Sequence, residues 1–263
     1  MRLDQALVVR GLSRSRATAA EVLREGRVRV DGQPVRKPST QVRDDQGVEV
    51  EGESKLWVGR AAYKLLAVLA AYPIDVKGAR CIDVGASTGG FTQVLLAAQA
   101  AEVVALDVGR GQLAPLVAGD PRVVEMSGQS VRGLAPEAVG GVADIVVADL
   151  SFISLRLVLD TLAALTSAQG HLVTLIKPQF EIGKERLGRT GVVGSAQQRH
   201  EVLAAVQDSA RSFGLHVHGL LHSPVIGGTG NTEYLMWCRH RAEGKMSDVS
   251  IQEFMDAVAD GRL

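Results

Sequence analysis

Four polar residues stand at the ends of apolar segments in this 263-residue chain. They are Lys64, Asp149 after Ile145–Ala148, Lys177 after Leu172–Ile176, and Glu233 ahead of a last apolar run. A lysine at the end of a core strand is expensive to desolvate unless it is paired or used. Singly, each is an ordinary strand-end residue; as a set they fit a Lys-Asp-Lys-Glu tetrad able to orient a nucleophile and take its proton. A second cluster lies in Cys81–Phe91, where an apolar strand ends in Asp83 and a glycine-rich turn opens into a helical pattern. That is the layout of a nucleotide-cofactor loop at the carboxyl end of a parallel strand. Ser87 at the middle glycine position excludes the dinucleotide fingerprint, and no Lys-Ser or Lys-Thr follows to make a phosphate-cradling loop. An acid just before the loop suits a cofactor with a cationic amino-acid end, as in S-adenosylmethionine. Asp107 ends the next strand, where a carboxylate can accept both hydroxyls of a ribose.

These residues need a sheet to gather them. Apolar runs at 80–84, 102–107, 122–126, 143–149, 171–176, 215–221 and 232–238 are separated mostly by helix-length segments, which predicts a mainly parallel sheet covered on both faces. The last two runs are joined by Ser223–Asn231, too short for a helical crossover, so they are expected to pair antiparallel. Ahead of the sheet, 59–71 predicts a helix with Ala62, Leu65, Leu66 and Leu69 inward and with Tyr63 and Lys64 aboard. His216 and His218 alternate on one strand face, but no third ligand stands at a suitable spacing, so no metal site is expected.

Charge divides the chain. Residues 1–43 carry ten Arg and Lys against four Asp and Glu, whereas 61–263 carry 17 against 20. A basic module for an anionic partner beside a near-neutral body follows. In the module, Ser13 is a candidate cap for a helix with Ala19, Val22 and Leu23 inward. Arg27–Val30 alternates into an Asp31-Gly32 hairpin turn, and Val35, Val42, Val48 and Val50 continue short strands. Arg14 and Arg16 fall at the helix start, where backbone donors also attract phosphate. Cys81 and Cys238 lie in apolar runs and read as buried reduced thiols, which fits the cytoplasm. No signal-peptide core precedes the module, and Leu65–Tyr72 is too short to span a bilayer.

Arg2-Leu3-Asp4, Gly11–Arg16, Gly26-Arg27-Val28, Val30-Asp31-Gly32 and Val35–Pro38 resemble the S-four RNA-binding domain. Gly59–Leu65, Asp83–Thr92, Asp107–Leu113, Val147–Ser154 and Lys177-Pro178-Gln179-Phe180-Glu181 extend the resemblance to the whole TlyA family of S-four/FtsJ-type ribosomal RNA methyltransferases. The resemblance implies a Rossmann-like class I methyltransferase sheet behind a small α+β RNA-binding domain. It divides the chain into 1–54, a linker 55–59, a catalytic domain 60–242 and a tail 243–263 with a short helix. The implied activity is S-adenosylmethionine-dependent 2′-O-methylation of cytidine in 23S or 16S ribosomal RNA, in the cytoplasm, with ribosomal subunits as partners. Monomer and homodimer are both compatible with it.

Carried onto this chain, the family's cofactor residues are Asp83, Gly85, Ser87, Thr88, Gly89, Gly90, Phe91, Asp107, Val108, Gln129, Ser130 and Asp149. Its RNA contacts are Arg2, Arg14, Arg16, Arg27, Arg36, Lys37 and Arg60, and its catalytic set is Lys64, Asp149, Lys177 and Glu233. Two departures stand out. Lys55-Leu56-Trp57-Val58 replaces the Arg-Ala-Trp-Val of actinobacterial relatives, keeping Trp57 for a hinge that couples RNA docking to cofactor binding. Ser130 stands where relatives often have Asn beside the adenine, with Gln129 as a substitute. Lys177 is expected to be the base, helped to shed its proton by burial and by Lys64. Asp149 would orient Lys177 or the ribose, and Glu233 would hold Lys64 or the 2′-hydroxyl. Gly183–Gly194, with Lys184, Arg186 and Arg189, reads either as an RNA-contacting lid or as a plain loop. The rival readings are a non-catalytic ribosome assembly factor, a membrane-lytic haemolysin, which some family members are called, and a nicotinamide-dependent oxidoreductase.

Overall fold

The computed structural model describes residues 1–10, 12–13, 16–43, 45–51, 57–183 and 185–263. It divides into two compact units, Met1–Trp57 and Val58–Leu263. Arg14, Lys184 and, of the expected linker 55–59, Lys55 and Leu56 lie outside the described residues.

The first unit holds helices α1 (Leu3–Val9) and α2 (Arg16–Arg24) and strands β1 (Val28–Val30), β2 (Gln33–Pro34) and β3 (Val48–Val50). The three strands run antiparallel in the order β2-β1-β3. Asp31 and Gly32 both take positive φ, +50° and +78°, which is what a tight turn matched to strand twist requires. Leu3, Leu7, Val22, Leu23, Val28 and Val42 close a small core. One expectation changes here: Val35 and Val42 fill the core from outside the strands. Ser13 is buried, and the two residues between it and Arg16, the first described residue of α2, lie outside the described residues.

The second unit opens with α3 (Ala62–Ala71), β4 (Arg80–Val84), α4 (Gly90–Ala97), β5 (Glu102–Asp107), α5 (Pro115–Ala118) and β6 (Val123–Ser127). It continues with β7 (Ala143–Ala148), α6 (Leu159–Leu165), β8 (Thr166–Ile176), α7 (Pro178–Glu181), α8 (Ala196–Ser212), β9 (His216–His222), β10 (Tyr234–Arg239) and α9 (Asp248–Ala259). Among the described residues, seven strands form one sheet in the order β6-β5-β4-β7-β8-β10-β9. The pairs from β6 to β8 are parallel, and β10 enters antiparallel between β8 and β9. The Val, Ile and Leu runs of β4, β5 and β7 bury almost completely, as strands covered on both faces must, while edge strand β6 stays partly exposed. Because β4 leads to β5 on one side and β7 stands on the other, its carboxyl end is the switch point at which open α/β sheets hold ligands.

One detail departs from the reading of the sequence: the stripe of α3 that is buried is Ala62, Lys64, Leu65 and Val68, with Leu66 and Leu69 only half-buried. In residues 243–263, α9 sends Ile251, Met255 and Val258 into the main core against α8. His218 lies tilted against Trp237 and meets the Arg241 carbonyl through Nε2 at 2.7 Å, a packed histidine. Both cysteines are free and buried, and burial pushes each thiol up to about 12.

Candidate active site

Strand register explains how residues far apart in sequence meet. Asp149 leaves the end of β7 and Lys177 the end of its parallel neighbour β8. Tyr234 of β10 pairs with Ile176, which sets Glu233 opposite Lys177. The fourth member, Lys64, comes from the first turn of α3. Its ammonium donates to Glu233 Oε2 at 2.7 Å and to Asp149 Oδ2 at 3.2 Å. Lys177 Nζ donates to Ser151 Oγ at 2.9 Å and lies 2.6 Å from Asp149 Oδ1, an ion pair off the line of a good hydrogen bond. The result is an alternating row, Lys177, Asp149, Lys64, Glu233, with every side chain no more than 12% exposed. Two cations and two anions cancel, which is how four buried charges are tolerated together. Gly227 backs the row, since a Cβ there would stand 2.7 Å from Glu233 Oε1.

Two cavities meet at this row. The first, of about 610 Å³, is lined by Arg60, Lys64, Asp83, Ser87, Asp149, Lys177 and Glu233 among others. The second, of about 650 Å³, runs past Asp107, Val108, Gln129 and Ser130. Gly85, Ser87, Asp149, Ser151 and Phe152 border both.

Asp83 is fully buried, and its Oδ2 accepts from Thr92 N at 2.9 Å and Thr92 Oγ1 at 2.6 Å. It thereby fixes the start of α4, a job the sequence reading did not assign. Its Oδ1 has no hydrogen-bond partner among the described residues. Burial pushes its carboxyl up to about 7, against the opposing pull of the Thr92 hydrogen bonds. Asp107 accepts from Ser87 N at 2.8 Å and Gly109 N at 2.7 Å, which sets its half-buried carboxylate at the mouth of the second cavity. Val108 is exposed there, Gln129 N donates to the Asp107 carbonyl, and Ser130 Oγ accepts from Arg132 N.

The glycines of the loop divide by role. Gly85 takes φ +83° and a Cβ would stand 2.8 Å from the Asp149 carbonyl, so the loop and the Asp149 segment touch only because it is glycine. Gly89 takes φ +89°, and a Cβ there would strike Leu113 and Val117, so its smallness also serves packing on α5. Gly90 lines the first cavity yet packs tightly on Ala61 and Ala62, and Phe91 lines it while being almost wholly buried in the core. Thr88 is exposed on the first cavity. Ser151, Thr92 and Glu181 touch the site and were not assigned roles from sequence, although all three lie inside motifs quoted above.

Arg2 and Arg16 both clamp Asp4, at 3.0 and 2.9 Å, while staying 41% and 56% exposed. Arg2's hydrogen bonds, then Arg16, pull the Asp4 carboxyl down to about 2. Arg27 donates to the Glu51 carbonyl and pairs with Glu25. The Arg36 guanidinium covers Gly26, and Lys37 is exposed. In the second unit, Arg60 is exposed on the first cavity. Contacts hold parts of residues 186–193. Arg186 pairs with Glu201 at 2.6 Å, and buried Asn231 holds the Gly191 carbonyl and Val193 N, each at 2.9 Å.

Comparison with known proteins adds names to this geometry. Residues 57–240 match the model of the FtsJ-like methyltransferases, and residues 1–48 match the S4 domain. The 16S/23S rRNA (cytidine-2'-O)-methyltransferase TlyA of Mycobacterium tuberculosis is 47% identical over 99% of this chain and 98% of its own length. A relative from Brachyspira hyodysenteriae called Hemolysin A is 33% identical over 89% of this chain and 98% of its own. Among solved structures, a protein named as a hemolysin from Streptococcus thermophilus superposes with TM-score 0.72 at 35% identity, covering 99% of this chain and 96% of its own. A protein described as an S-adenosylmethionine-dependent methyltransferase, from Listeria monocytogenes, shares the fold alone, at TM-score 0.52 and 12% identity over 72% of this chain and all of its own. Among the described residues, no helix is long and apolar enough to cross a membrane, and nothing in the site favours a lytic activity.

Proposed function

This chain belongs to the TlyA group of FtsJ-like methyltransferases, and from that premise we propose that it methylates the 2′-hydroxyl of a cytidine in ribosomal RNA. The observation that carries the chemistry is the alternating Lys177, Asp149, Lys64, Glu233 row at the junction of two cavities. The substrate rests on the name of the 47% identical relative. A cytoplasmic setting accords with that substrate and with two buried thiols.

The residues present fit S-adenosylmethionine. Asp83 offers a buried carboxylate oxygen without a partner, suited to an ammonium; Asp107 offers a strand-end carboxylate to a ribose; Val108, Gln129 and Ser130 offer a half-apolar slot to a base. Once bound, the cofactor supplies a sulfonium methyl already activated toward an oxygen nucleophile. What remains for the protein is to hold that oxygen in line and remove its proton.

Lys177, after releasing to solvent the proton it carries in this row, would receive the proton of the 2′-hydroxyl. Asp149 then stabilises the ammonium that results, as a carboxylate does behind a histidine base. Lys64, held by Glu233, fixes the second oxygen of Asp149 and so the direction from which Lys177 approaches. In the first unit, Arg2, Arg16, Arg27, Arg36 and Lys37, with Arg60 at the cleft, would engage RNA by shape and phosphate. The test is mapping of ribose methylation on 16S and 23S rRNA after incubating isolated subunits with purified protein and cofactor. A cytidine stop that appears only with both supports the reading, and methylation confined to bases overturns it.

A further inference from the structure

Glu181 is buried, acidic and unused by the mechanism above. It sits at the end of α7, four residues beyond Lys177. Its carboxylate crosses to the other catalytic segment, accepting from Ser154 Oγ at 2.6 Å, Leu155 N at 2.5 Å and Arg156 Nε at 3.3 Å. Its own carbonyl accepts from Arg156 Nη2 at 3.3 Å. Ser154 precedes a short 3-10 turn, Leu155–Leu157, and its hydroxyl does not cap that turn. Glu181 therefore supplies from a distance the acceptor that the turn lacks locally.

Between Asp149 and this anchor lie only four residues, and one of them is strained. Phe152 takes φ +65°, a left-handed conformation that bulky side chains avoid, with its ring 92% exposed and resting on Phe180. Such a backbone persists only where its surroundings over-determine it. Upstream, Asp149 N is held by the Val84 carbonyl. Downstream, the hold is Glu181.

From this geometry we infer that Glu181 is a positioning residue: it locks the Asp149–Ser154 segment to the Lys177 segment and so sets the distance between Lys177, Asp149 and Ser151. The inference deepens the methyl-transfer reading and rests on it for its kinetic test. Loss of the lock lets Asp149 and Ser151 drift relative to Lys177 while leaving Asp107 and the second cavity in place. Misplacement of about 1 Å costs on the order of 100-fold in rate.

The experiment compares single-turnover methyl transfer at saturating RNA and cofactor for wild type, Glu181→Ala, Glu181→Gln and Ser154→Ala. Cofactor affinity and hydrogen exchange across residues 150–155 are measured in parallel. The expected result for Glu181→Ala is a rate loss of about 10- to 100-fold, faster exchange in 150–155, and cofactor affinity near wild type. Glu181→Gln, which keeps an acceptor for Leu155 N, recovers much of the rate, and Ser154→Ala falls between. If Glu181→Ala does not fold, the rate and exchange of the Gln and Ser154→Ala variants decide. A folded Glu181→Ala with wild-type rate and wild-type exchange overturns the inference. Wild type inactive on every ribosomal RNA overturns the functional reading instead, and the exchange data then judge the lock alone.

Discussion

Asp4 and Asp149 occupy the same electrostatic position in different units. Each is a buried carboxylate between two cations. In the first unit the cations are Arg2 and Arg16, whose side chains remain 41% and 56% exposed. In the second they are Lys64 and Lys177, with side chains 8% and 10% exposed. Arginine brings a permanent charge and a planar fork, so one edge can grip Asp4 while the other stays available to a phosphate. Lysine brings a compact ammonium that can lose its proton, which is of use only where water is excluded. On the proposed reading, a single arrangement would serve binding in one unit and proton transfer in the other, with solvent exposure deciding which. Asp83 is the third case, a buried carboxylate with hydroxyl and amide partners but no close cation, and it alone is pushed up to about 7.

The largest effect should come from making the second cluster resemble the first. Lys177→Arg keeps the charge beside Asp149 but cannot shed a proton near neutrality. Single-turnover transfer is expected to fall by about 100- to 10,000-fold, the usual worth of a general base, with cofactor and RNA affinity retained. The mirror change, Arg16→Lys, should leave turnover within a few-fold of wild type. A fast Lys177→Arg enzyme would make Lys177 an electrostatic clamp and hand the base role to Lys64 or to solvent.

What could be read from sequence follows the same division. The tetrad was legible because each member abuts an apolar run, and strand ends converge at one edge of a parallel sheet. The antiparallel closing pair was legible from the short Ser223–Asn231 connection. What stayed hidden were the partners. Nothing in residue type says that Arg2 and Arg16 turn inward onto Asp4, or that Thr92 consumes one oxygen of Asp83. For Gly89, only the tertiary contact with Leu113 and Val117 shows that its smallness also serves packing. Glu181 sat within a recognised motif, but its work is a contact with Ser154 and Leu155, 26 or more residues away in sequence.

A smaller effect separates Asp83 from Asp4. With its carboxyl raised to about 7, the folded protein without cofactor holds a proton there that the unfolded chain would release near the ordinary value of 3.8. Its contribution to stability is therefore full below about pH 4 and is lost as pH rises through about 7. A cationic amino-acid group beside Oδ1 reverses the preference. Cofactor binding near pH 7 should accordingly release about half a proton, read from calorimetry in two buffers of different ionisation enthalpy. Asp83→Asn should bind more weakly and release none. Equal proton release by wild type and Asp83→Asn would remove Asp83 from the ammonium site.

The smallest effect tests whether the first cluster is as durable as its geometry suggests. Asp4 is held down to about 2, first by the hydrogen bonds of Arg2 and then by Arg16. Its stabilising contribution is therefore present above the ordinary value of 3.8 and lost only as pH falls through about 2. Following the Asp4 carboxyl by NMR in the full-length protein, Arg2→Ala should raise its midpoint more than Arg16→Ala does, because Arg2 leads the causes. RNA affinity offers the second measurement. Each substitution removes one exposed guanidinium, so each should flatten the dependence of log affinity on log salt by about one unit or less. The two measurements rank the arginines independently. If Arg2→Ala moves the Asp4 midpoint but leaves the salt slope unchanged, Arg2 belongs to the fold of the first unit. Arg16, more exposed and at the opening of α2, would then carry the phosphate contact.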